Sequence, residues 1–152
     1  MKNIKHFTKV IFIVFIFNHL VAAQTDDKKI LINKLNHWIE SFNKKVLQKS
    51  LEIFSEEYVA LYPGQPDQKF TDVKKQYEQI FTNKNLNVSL KFGIVESEVG
   101  GEFAFIHFVL ITTVKPTFVD KAQSATDRGF QIWKKQTTGD WKLIRSISFP
   151  KQ

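Results

Sequence analysis

Cysteine is absent from this sequence, and histidine is rare. Without a thiol the chain can form no disulfide, no thiolate metal site and no cysteine nucleophile. Only His37 and His107 lie beyond the first 23 residues, so one chain cannot supply a three-histidine metal site. The sequence also lacks a glycine-rich phosphate loop, a nucleophile elbow and a paired-histidine motif. We therefore expect no metal and no cofactor.

The composition is that of one folded domain. Of the 152 residues, 43% are hydrophobic and 14% aromatic, which is far too apolar for a disordered chain. The net charge is +7; without the first 23 residues, which hold three lysines and no acid, 19 basic and 15 acidic residues remain. These basic residues are scattered, whereas nucleic-acid-binding proteins concentrate basic charge in one stripe. We therefore expect no nucleic-acid partner.

The N-terminus has the layout of a secretory signal peptide. Three lysines in the first nine residues precede the apolar run Val10–Phe17, and small residues follow up to Ala23. This order predicts cleavage after Ala23, which divides the chain into a signal peptide at 1–23 and a domain at 24–152. A membrane anchor is the alternative, but a span needs about 20 apolar residues and Asn18 interrupts this run. The sequence thus predicts a soluble exported protein, periplasmic or secreted, without membrane contact after cleavage.

Three segments have the apolar spacing of amphipathic helices. The first follows Thr25 and Asp26, which can cap it. Its apolar residues recur every three or four positions, at Leu31, Leu35, Trp38 and Phe42. A second, short helix is expected near Leu47–Ser55. Thr71 is a candidate N-cap for the third helix, which would bury Tyr77.

Strand patterns dominate the second half of the chain. A short strand of β-forming residues is expected at Tyr58–Tyr62, and the alternation of Leu86–Ile94 predicts a strand with one buried face. Gly100 and Gly101 suit a hairpin turn. The remaining strands are expected at Glu102–Val114, Arg128–Lys135 and Trp141–Phe149. This order predicts an α+β domain, a curved antiparallel sheet with three helices on its concave face and a cavity at its open end.

Two segments carry a resemblance to a known superfamily: Leu61–Pro66 after the short strand, and the last hairpin at 128–144. In these segments and in its order of elements, the chain resembles the nuclear transport factor 2-like proteins. Within them it is most similar to the SnoaL-like and ketosteroid-isomerase-like branch, which includes exported members of unknown function. The resemblance implies a cone-shaped, cystatin-like fold, a pocket between sheet and helices, and a homodimer formed through the sheet. Relatives often carry Asp or His in the last strand, where this chain has Arg145–Ser148, and this difference argues against carboxylate-base chemistry.

Arg145 is the most informative polar residue of the last strand. Strict alternation places it on one face with apolar residues, namely Trp141, Leu143, Ile147 and Phe149. Ser146 and Ser148 would then face the other way. A charge on an apolar face needs a partner. The alternatives are a carboxylate, from Glu57 or Asp127, and an anionic group of a ligand, which suits the guanidinium fork. Arg145 is therefore a candidate ligand-binding residue.

The remaining candidates are a histidine, a glutamate and several aromatic residues. His107 lies in the middle of an apolar strand, where it is either a hydrogen-bonded core residue or a proton carrier in the cavity. Glu57 precedes the short strand and is the second candidate catalytic residue, unless it is simply solvated. Trp38, Tyr58 and Tyr62 are candidate ligand-binding residues, although aromatic residues at such spacings often belong to a core.

The thin set of acid–base residues favours an exported domain that binds a small molecule without catalysis. We expect the ligand to be small and apolar or weakly anionic. The alternatives are a pocket enzyme, such as an isomerase, cyclase or hydro-lyase without metal or cofactor, and a module for dimerisation or association. A fold of this kind does not decide among them.

Overall fold

The computed structural model describes residues 26–151, so the predicted signal peptide at 1–23 and Thr25 lie outside the described part. The helices are α1, described over 26–43, α2 at Leu47–Leu51 and α3 at Phe70–Thr82. The strands are β1 Phe54–Leu61, β2 Gln68–Lys69, β3 Leu86–Gly100, β4 Phe103–Pro116, β5 Gln123–Lys135 and β6 Trp141–Pro150. Within this range, no helix has both the length and the apolar character that crossing a membrane requires.

Within the described residues the strands form one six-stranded sheet in the order β2-β1-β6-β5-β4-β3. Strands β3 to β6 make the expected antiparallel meander, and the α+β fold class is confirmed. One pair differs, because β1 runs parallel to β6, with Val59 opposite Arg145 and Leu61 opposite Ile147. The parallel pairing is possible because α3 and three long strands separate β1 from β6 along the chain.

The boundary between α2 and β1 lies earlier than the sequence predicts. The helix ends at Leu51, and the strand begins at Phe54. The strand is irregular, because its pairing with β6 shifts between Phe54 and Val59. Ser55, Glu56 and Glu57 in its first half are not strand-forming residue types, which is why the run of β-forming residues predicted a start at Tyr58.

Helix α1 buries the face that its apolar spacing predicts. The exposed fractions of Leu31, Leu35, Trp38 and Phe42 are all 5% or less. Asp26 already lies inside the helix. The helix ends at a left-handed residue, Lys45 with φ 57°, and the Val46 N–H donates to the Ser41 carbonyl at 2.9 Å. Many helices end with a left-handed residue of this kind, and that residue is usually a glycine.

Helix α3 follows strand β2 directly, with no residue between them. Lys69 is both the last residue of β2 and the N-cap, and its backbone N–H donates to the Asp72 carboxylate at 3.0 Å. The prediction of Thr71 as the N-cap is therefore wrong. The pairing of Gln68 and Lys69 with β1 fixes the extended backbone, and the helix starts as soon as that pairing ends.

Side chains fix both ends of α1 to the sheet. Near its start, the Asp27 carboxylate accepts hydrogen bonds from Lys135 Nζ at 2.8 and 2.9 Å and from Trp141 Nε1 at 3.0 Å. At its last turn, the Asn43 amide bonds both the N–H and the carbonyl of Leu90, at 2.8 and 3.0 Å. Leu90 belongs to the edge strand β3, so Asn43 satisfies backbone groups that no further strand pairs. The helix is held across the concave face of the sheet.

Candidate functional site

A β-bulge in β6 decides which residues face the helices. Leu143 pairs with Trp133 and Arg145 pairs with Ile132, so Ile144 has no partner in β5. One extra residue reverses the alternation for the rest of the strand. The prediction that Arg145 shares a face with Leu143 is therefore wrong. The two serines that were expected to face away from the cavity instead turn towards it.

Arg145 lies on the outer face of the sheet and does not line the cavity. Its Nη1 donates to two backbone carbonyls, of Glu57 at 2.8 Å and of Ile144 at 2.6 Å. Neither of the expected carboxylates, from Glu57 or Asp127, forms an ion pair with it among the described residues. These two bonds of Nη1 tie the guanidinium to the irregular backbone of β1 and to the bulge itself.

The two candidate catalytic residues also lie away from the cavity. In β4 the buried positions are Ile106 and Phe108, so His107 points outward, where its ring lies 4.8 Å from that of Phe130. Glu57 is exposed in β1. Neither residue lines the cavity, and the structure brings neither of them to a place where it could act on a bound molecule there.

The cavity lies between the helices and the concave face of the sheet, and it encloses about 190 Å³. All three aromatic residues expected at a pocket line it, namely Trp38, Tyr58 and Tyr62. The rest of the lining is aliphatic, aromatic or neutral polar, and no Asp, Glu, His, Lys or Arg of the described residues contributes to it. Within 26–151, no group of three or more His, Asp or Glu side chains is arranged so that it could hold a metal ion.

The polar groups on the sheet side of the cavity are neutral and are held by neighbouring side chains. Ser146 and Gln131 are directly opposite each other in β6 and β5, and both are buried. The Tyr58 hydroxyl lies close to the Ser146 side chain. Trp133 Nε1 donates to Gln131 Oε1 at 3.2 Å. Because an indole nitrogen only donates, the amide oxygen must face Trp133, and the amide nitrogen of Gln131 must face the other way.

The helix side of the cavity carries a second fixed pair. Trp38 Nε1 donates to the Tyr77 hydroxyl oxygen at 3.1 Å, which leaves the Tyr77 O–H free to donate. Burial raises the pKa of Tyr77, and it raises the pKa of Tyr58, above the ordinary range of tyrosine. Both hydroxyls therefore stay neutral at physiological pH and can hydrogen-bond to a ligand without acting as bases.

Asp127 is an acid close to the rim of the cavity. It lies in β5 on the same face as Gln131, four residues away. Burial raises the pKa of the Asp127 carboxyl. Burial also raises the pKa of Tyr62, and the negative charge of Asp127 raises it further. Leu61 lies opposite Ile147 and Asp127 lies opposite Pro150, so Asp127 and Tyr62 lie near the same end of β6, although Asp127 does not line the cavity.

Sequence reasoning missed the polar lining of the cavity. Gln131 alternates with Gly129 and Trp133 on one face of β5, so a period-two pattern in the last hairpin could have identified it. Ser146 and Ser148 could not be found this way. The bulge before them has no marker in residue type, and strict alternation assigns both serines to the wrong face.

The fold is shared with proteins of known structure. A conserved protein from Planctomyces limnophilus matches with a TM-score of 0.76 and 16% identity, over 84% of this chain and 98% of that one. A ketosteroid isomerase-like protein from Erwinia carotovora matches with a TM-score of 0.65 and 15% identity, over 82% and 95%. A nuclear transport factor 2-like superfamily protein from Salmonella enterica matches with a TM-score of 0.67 and 18% identity, over 84% and 93%.

These similarities confirm the predicted nuclear transport factor 2-like, cystatin-like fold. No protein-family model matches the sequence, and no curated protein matches it either. Identities of this size establish the fold and do not carry an activity from one protein to another.

Proposed function

From the nuclear transport factor 2-like fold and its uncharged cavity, we propose that this domain binds a small, uncharged, largely apolar molecule without transforming it. The observation that carries the proposal is the lining: aromatic and aliphatic walls, neutral polar groups, and no carboxylate, imidazole or amine from the described residues. Such a surface can bury a neutral ligand, whereas an ion would lose its hydration without a charged partner. This narrows the sequence expectation, which also allowed a weakly anionic ligand.

The size of the cavity sets the size of the ligand. A dry apolar cavity of roughly 150 Å³ accepts benzene, so 190 Å³ suits one substituted ring or a similar compact molecule. Edge-to-face contacts around Trp38, with Phe92 at 5.8 Å and Phe54 at 6.4 Å, keep these walls in place.

Gln131 adds a chemical requirement to this ligand. Its side chain is 3% exposed, and its oxygen is occupied by Trp133. No protein acceptor bonds its amide nitrogen among the described residues, and no fully buried side-chain nitrogen or oxygen there lacks a partner. The amide nitrogen therefore reaches the cavity space, where a ligand can accept from it. A carbonyl oxygen on the ligand satisfies this donor.

Two probe molecules of similar size and shape test this requirement. Acetophenone and α-methylstyrene differ only by an oxygen in place of a methylene group. In Gln131→Met, which keeps the length of the side chain but cannot donate, the ratio of acetophenone to α-methylstyrene affinity should fall about fivefold to tenfold, the effect of one hydrogen bond. Both affinities can be measured by NMR titration of the indole N–H signals. Any general loosening of the cavity affects both probes and cancels in the ratio.

The control is Gln136→Met, the same change in the β5–β6 hairpin, where the Gln136 amide bonds the Lys134 carbonyl at 3.3 Å. It should leave the ratio unchanged. If the wild-type protein binds both probes equally well, and Gln131→Met does so too, the carbonyl requirement is wrong while the binding function stands. If neither probe binds, and no other compact neutral ring does, the binding function itself is wrong.

A proton-transfer enzyme, isomerase or lyase, is the second candidate, and one observation favours it. Asp127 lies near Tyr62 with a pKa raised by burial, which is how a carboxylate becomes a better base. Its position outside the lining argues against this role. Replacement of Asp127 by Asn should leave probe binding unchanged if the domain only binds.

We further propose that the domain forms a homodimer through the outer face of the sheet. Four large apolar residues of that face are at least 36% exposed, namely Phe103, Phe105, Phe130 and Phe149. Phe105 and Phe130 stack on each other at 5.1 Å in neighbouring strands, and His107 lies beside them. A contiguous aromatic surface of this kind favours burial against a second, identical surface.

If the homodimer forms through this face, one charged substitution in the face should dissociate it. Phe130→Glu should shift the mass in solution from dimer to monomer, because a buried carboxylate without a partner costs several kcal/mol, roughly. Light scattering after size exclusion measures this. Val46→Glu, at a residue 39% exposed between α1 and α2, is the control and should stay dimeric. A wild-type protein that is monomeric at high concentration would contradict the proposal.

Export through the segment at 1–23 stays a prediction of the sequence. The mass of the protein recovered outside the cytoplasm tests it, since cleavage after Ala23 leaves Gln24 as the first residue. A recovered chain that still carries residues 1–23 would contradict the predicted cleavage.

A further inference from the structure

The loop between β4 and β5, residues 117–122, carries the most exposed large apolar side chain of the described residues. Phe118 is 82% exposed, and Val119 beside it is 40% exposed. The loop is a turn held by two backbone hydrogen bonds. The Val119 N–H donates to the Pro116 carbonyl at 3.2 Å, and the Thr117 N–H donates to the Asn85 carbonyl at 3.0 Å. We name residues 117–122 the β4–β5 tip.

Basic residues surround the β4–β5 tip. Across the two neighbouring segments 83–90 and 115–125, the acids are limited to Asp120, while the bases are Lys84, Lys115 and Lys121. All of these lysines are exposed, and none of them forms an ion pair among the described residues. By contrast, lysines at the opposite end of the sheet are paired with aspartates. The tip itself carries one acid, Asp120, and one base, Lys121, and the lysines on its flanks make this end of the sheet net positive around an exposed apolar residue.

We propose that the β4–β5 tip binds the surface of an anionic lipid membrane. An aromatic side chain can enter the boundary between headgroups and acyl chains, and lysines around it can contact anionic headgroups. The two features complement each other. One aromatic ring alone anchors a protein only weakly, and a few lysines alone attract it to an anionic surface without any insertion into the membrane. The sequence alone led us to expect no membrane contact; the exposure of Phe118 is what changes this expectation.

The tip lies at the cavity end of the sheet. In β4, the residues that line the cavity are Phe108, Leu110 and Thr112, so the lining extends from the middle of the strand towards the tip and does not reach its start at Phe103. In β6, Ser148 lines the cavity near the same end. Contact with a membrane therefore brings the cavity towards a phase in which apolar small molecules concentrate. The membrane proposal does not depend on a ligand and is tested without one.

Co-sedimentation with lipid vesicles tests the proposal on the purified protein. Vesicles of equal parts phosphatidylglycerol and phosphatidylcholine should bind it at low salt, and pure phosphatidylcholine vesicles should bind it at least about tenfold less. Phe118→Ser should lower the partition coefficient on the anionic vesicles about tenfold. The double variant Lys115→Glu with Lys121→Glu should lower it by at least as much, and added salt should weaken wild-type binding.

Two matched variants guard against general effects. Ile30→Ser removes a large apolar side chain that is 43% exposed in α1, away from the outer face of the sheet, and Lys29→Glu changes a charge near the start of the same helix. Both should bind the anionic vesicles as the wild type does, with the oligomeric state of each checked by light scattering. Absence of wild-type binding at low salt, or equal binding by Phe118→Ser, would overturn the proposal. So would a change from dimer to monomer in Phe118→Ser without any lipid binding, because the tip would then contact a second copy.

Discussion

Replacing Gly129 with alanine is expected to destabilise the domain by about 3 kcal/mol or more, or to prevent folding. A Cβ atom at this position would lie 1.9 Å from the Ile147 carbonyl oxygen and 3.0 Å from Phe108 Cζ. The nearer obstacle is backbone, which cannot turn away as a side chain can. Overpacking of this kind costs about 1–3 kcal/mol where a side chain can move, and more where it cannot. The measurement is urea unfolding, read as a change in midpoint.

Gly129 matters because neighbouring strands approach closely at this point. It lies opposite Ser148 in β6, beyond the bulge, on the face that lines the cavity. A glycine allows the sheet to bend where a side chain would hold the strands apart. Gly93→Ala is the matched control, because its Cβ would have ordinary contact at 3.9 Å from the Val109 carbonyl oxygen. It should change stability by less than about 1 kcal/mol; equal losses in both variants would contradict the steric account.

Asp27→Asn is expected to lower stability by roughly 2 kcal/mol. The carboxylate accepts three hydrogen bonds, from Lys135 Nζ twice and from Trp141 Nε1, and the Asp27 side chain is 13% exposed. Bonds to a charged group are worth more than neutral ones, and the change leaves the ammonium of Lys135 partly buried without a counter-charge. The same unfolding experiment measures the loss. Because the cluster joins α1 to the last hairpin, we also expect the start of α1 to lose hydrogen-exchange protection first.

The pH dependence of this loss identifies its cause. Burial alone would raise the pKa of the Asp27 carboxyl, but the hydrogen bonds from Lys135 and Trp141 and the charge of Lys135 outweigh it, so the pKa is lowered. A lowered pKa in the folded state adds stability that is present above the unfolded value, about 4, and is lost as the pH falls through the folded pKa. The difference between wild type and Asp27→Asn should therefore be full at neutral pH and shrink in acid.

Asp26→Asn is the control for this effect. Its carboxylate lies 3.9 Å from Lys29 Nζ, and both side chains are more than 70% exposed. An exposed pair of this kind contributes little, so the change should cost less than about 0.5 kcal/mol. A loss as large as that of Asp27→Asn, or a difference for Asp27→Asn that does not change with pH, would contradict the account.

The sequence predicts those parts of the fold in which local periodicity and burial agree. Leu31, Leu35 and Phe42 repeat at helical spacing, and all three are buried in α1. Strand β3 alternates as its first residues predict, with Val88 and Leu90 buried and their neighbours exposed. Such patterns follow from which side of an element faces the core, so they can be seen without knowing the neighbours.

The sequence does not predict features that arise from the meeting of two strands. The bulge at Ile144 exists because β6 carries one more residue than β5 over the same distance, and nothing in its residue type marks it. The bulge turns Arg145 outward and Ser146 towards the cavity. Strict alternation therefore assigns both side chains to the wrong face of the sheet. The orientation of the His107 side chain could not be predicted for a different reason. Both faces of β4 are apolar, so periodicity does not indicate which face is buried.

If the cavity binds a neutral ligand and moves no proton, a bound ketone should leave the protein chemically unchanged. The most direct measurement is proton NMR of acetophenone with the protein in deuterated buffer. The account predicts saturation transfer from the protein to the phenyl and methyl protons, and a methyl signal that persists as long as it does in buffer alone. It would be contradicted by an absence of saturation transfer, or by a methyl signal that exchanges faster in proportion to protein and is protected again in Asp127→Asn.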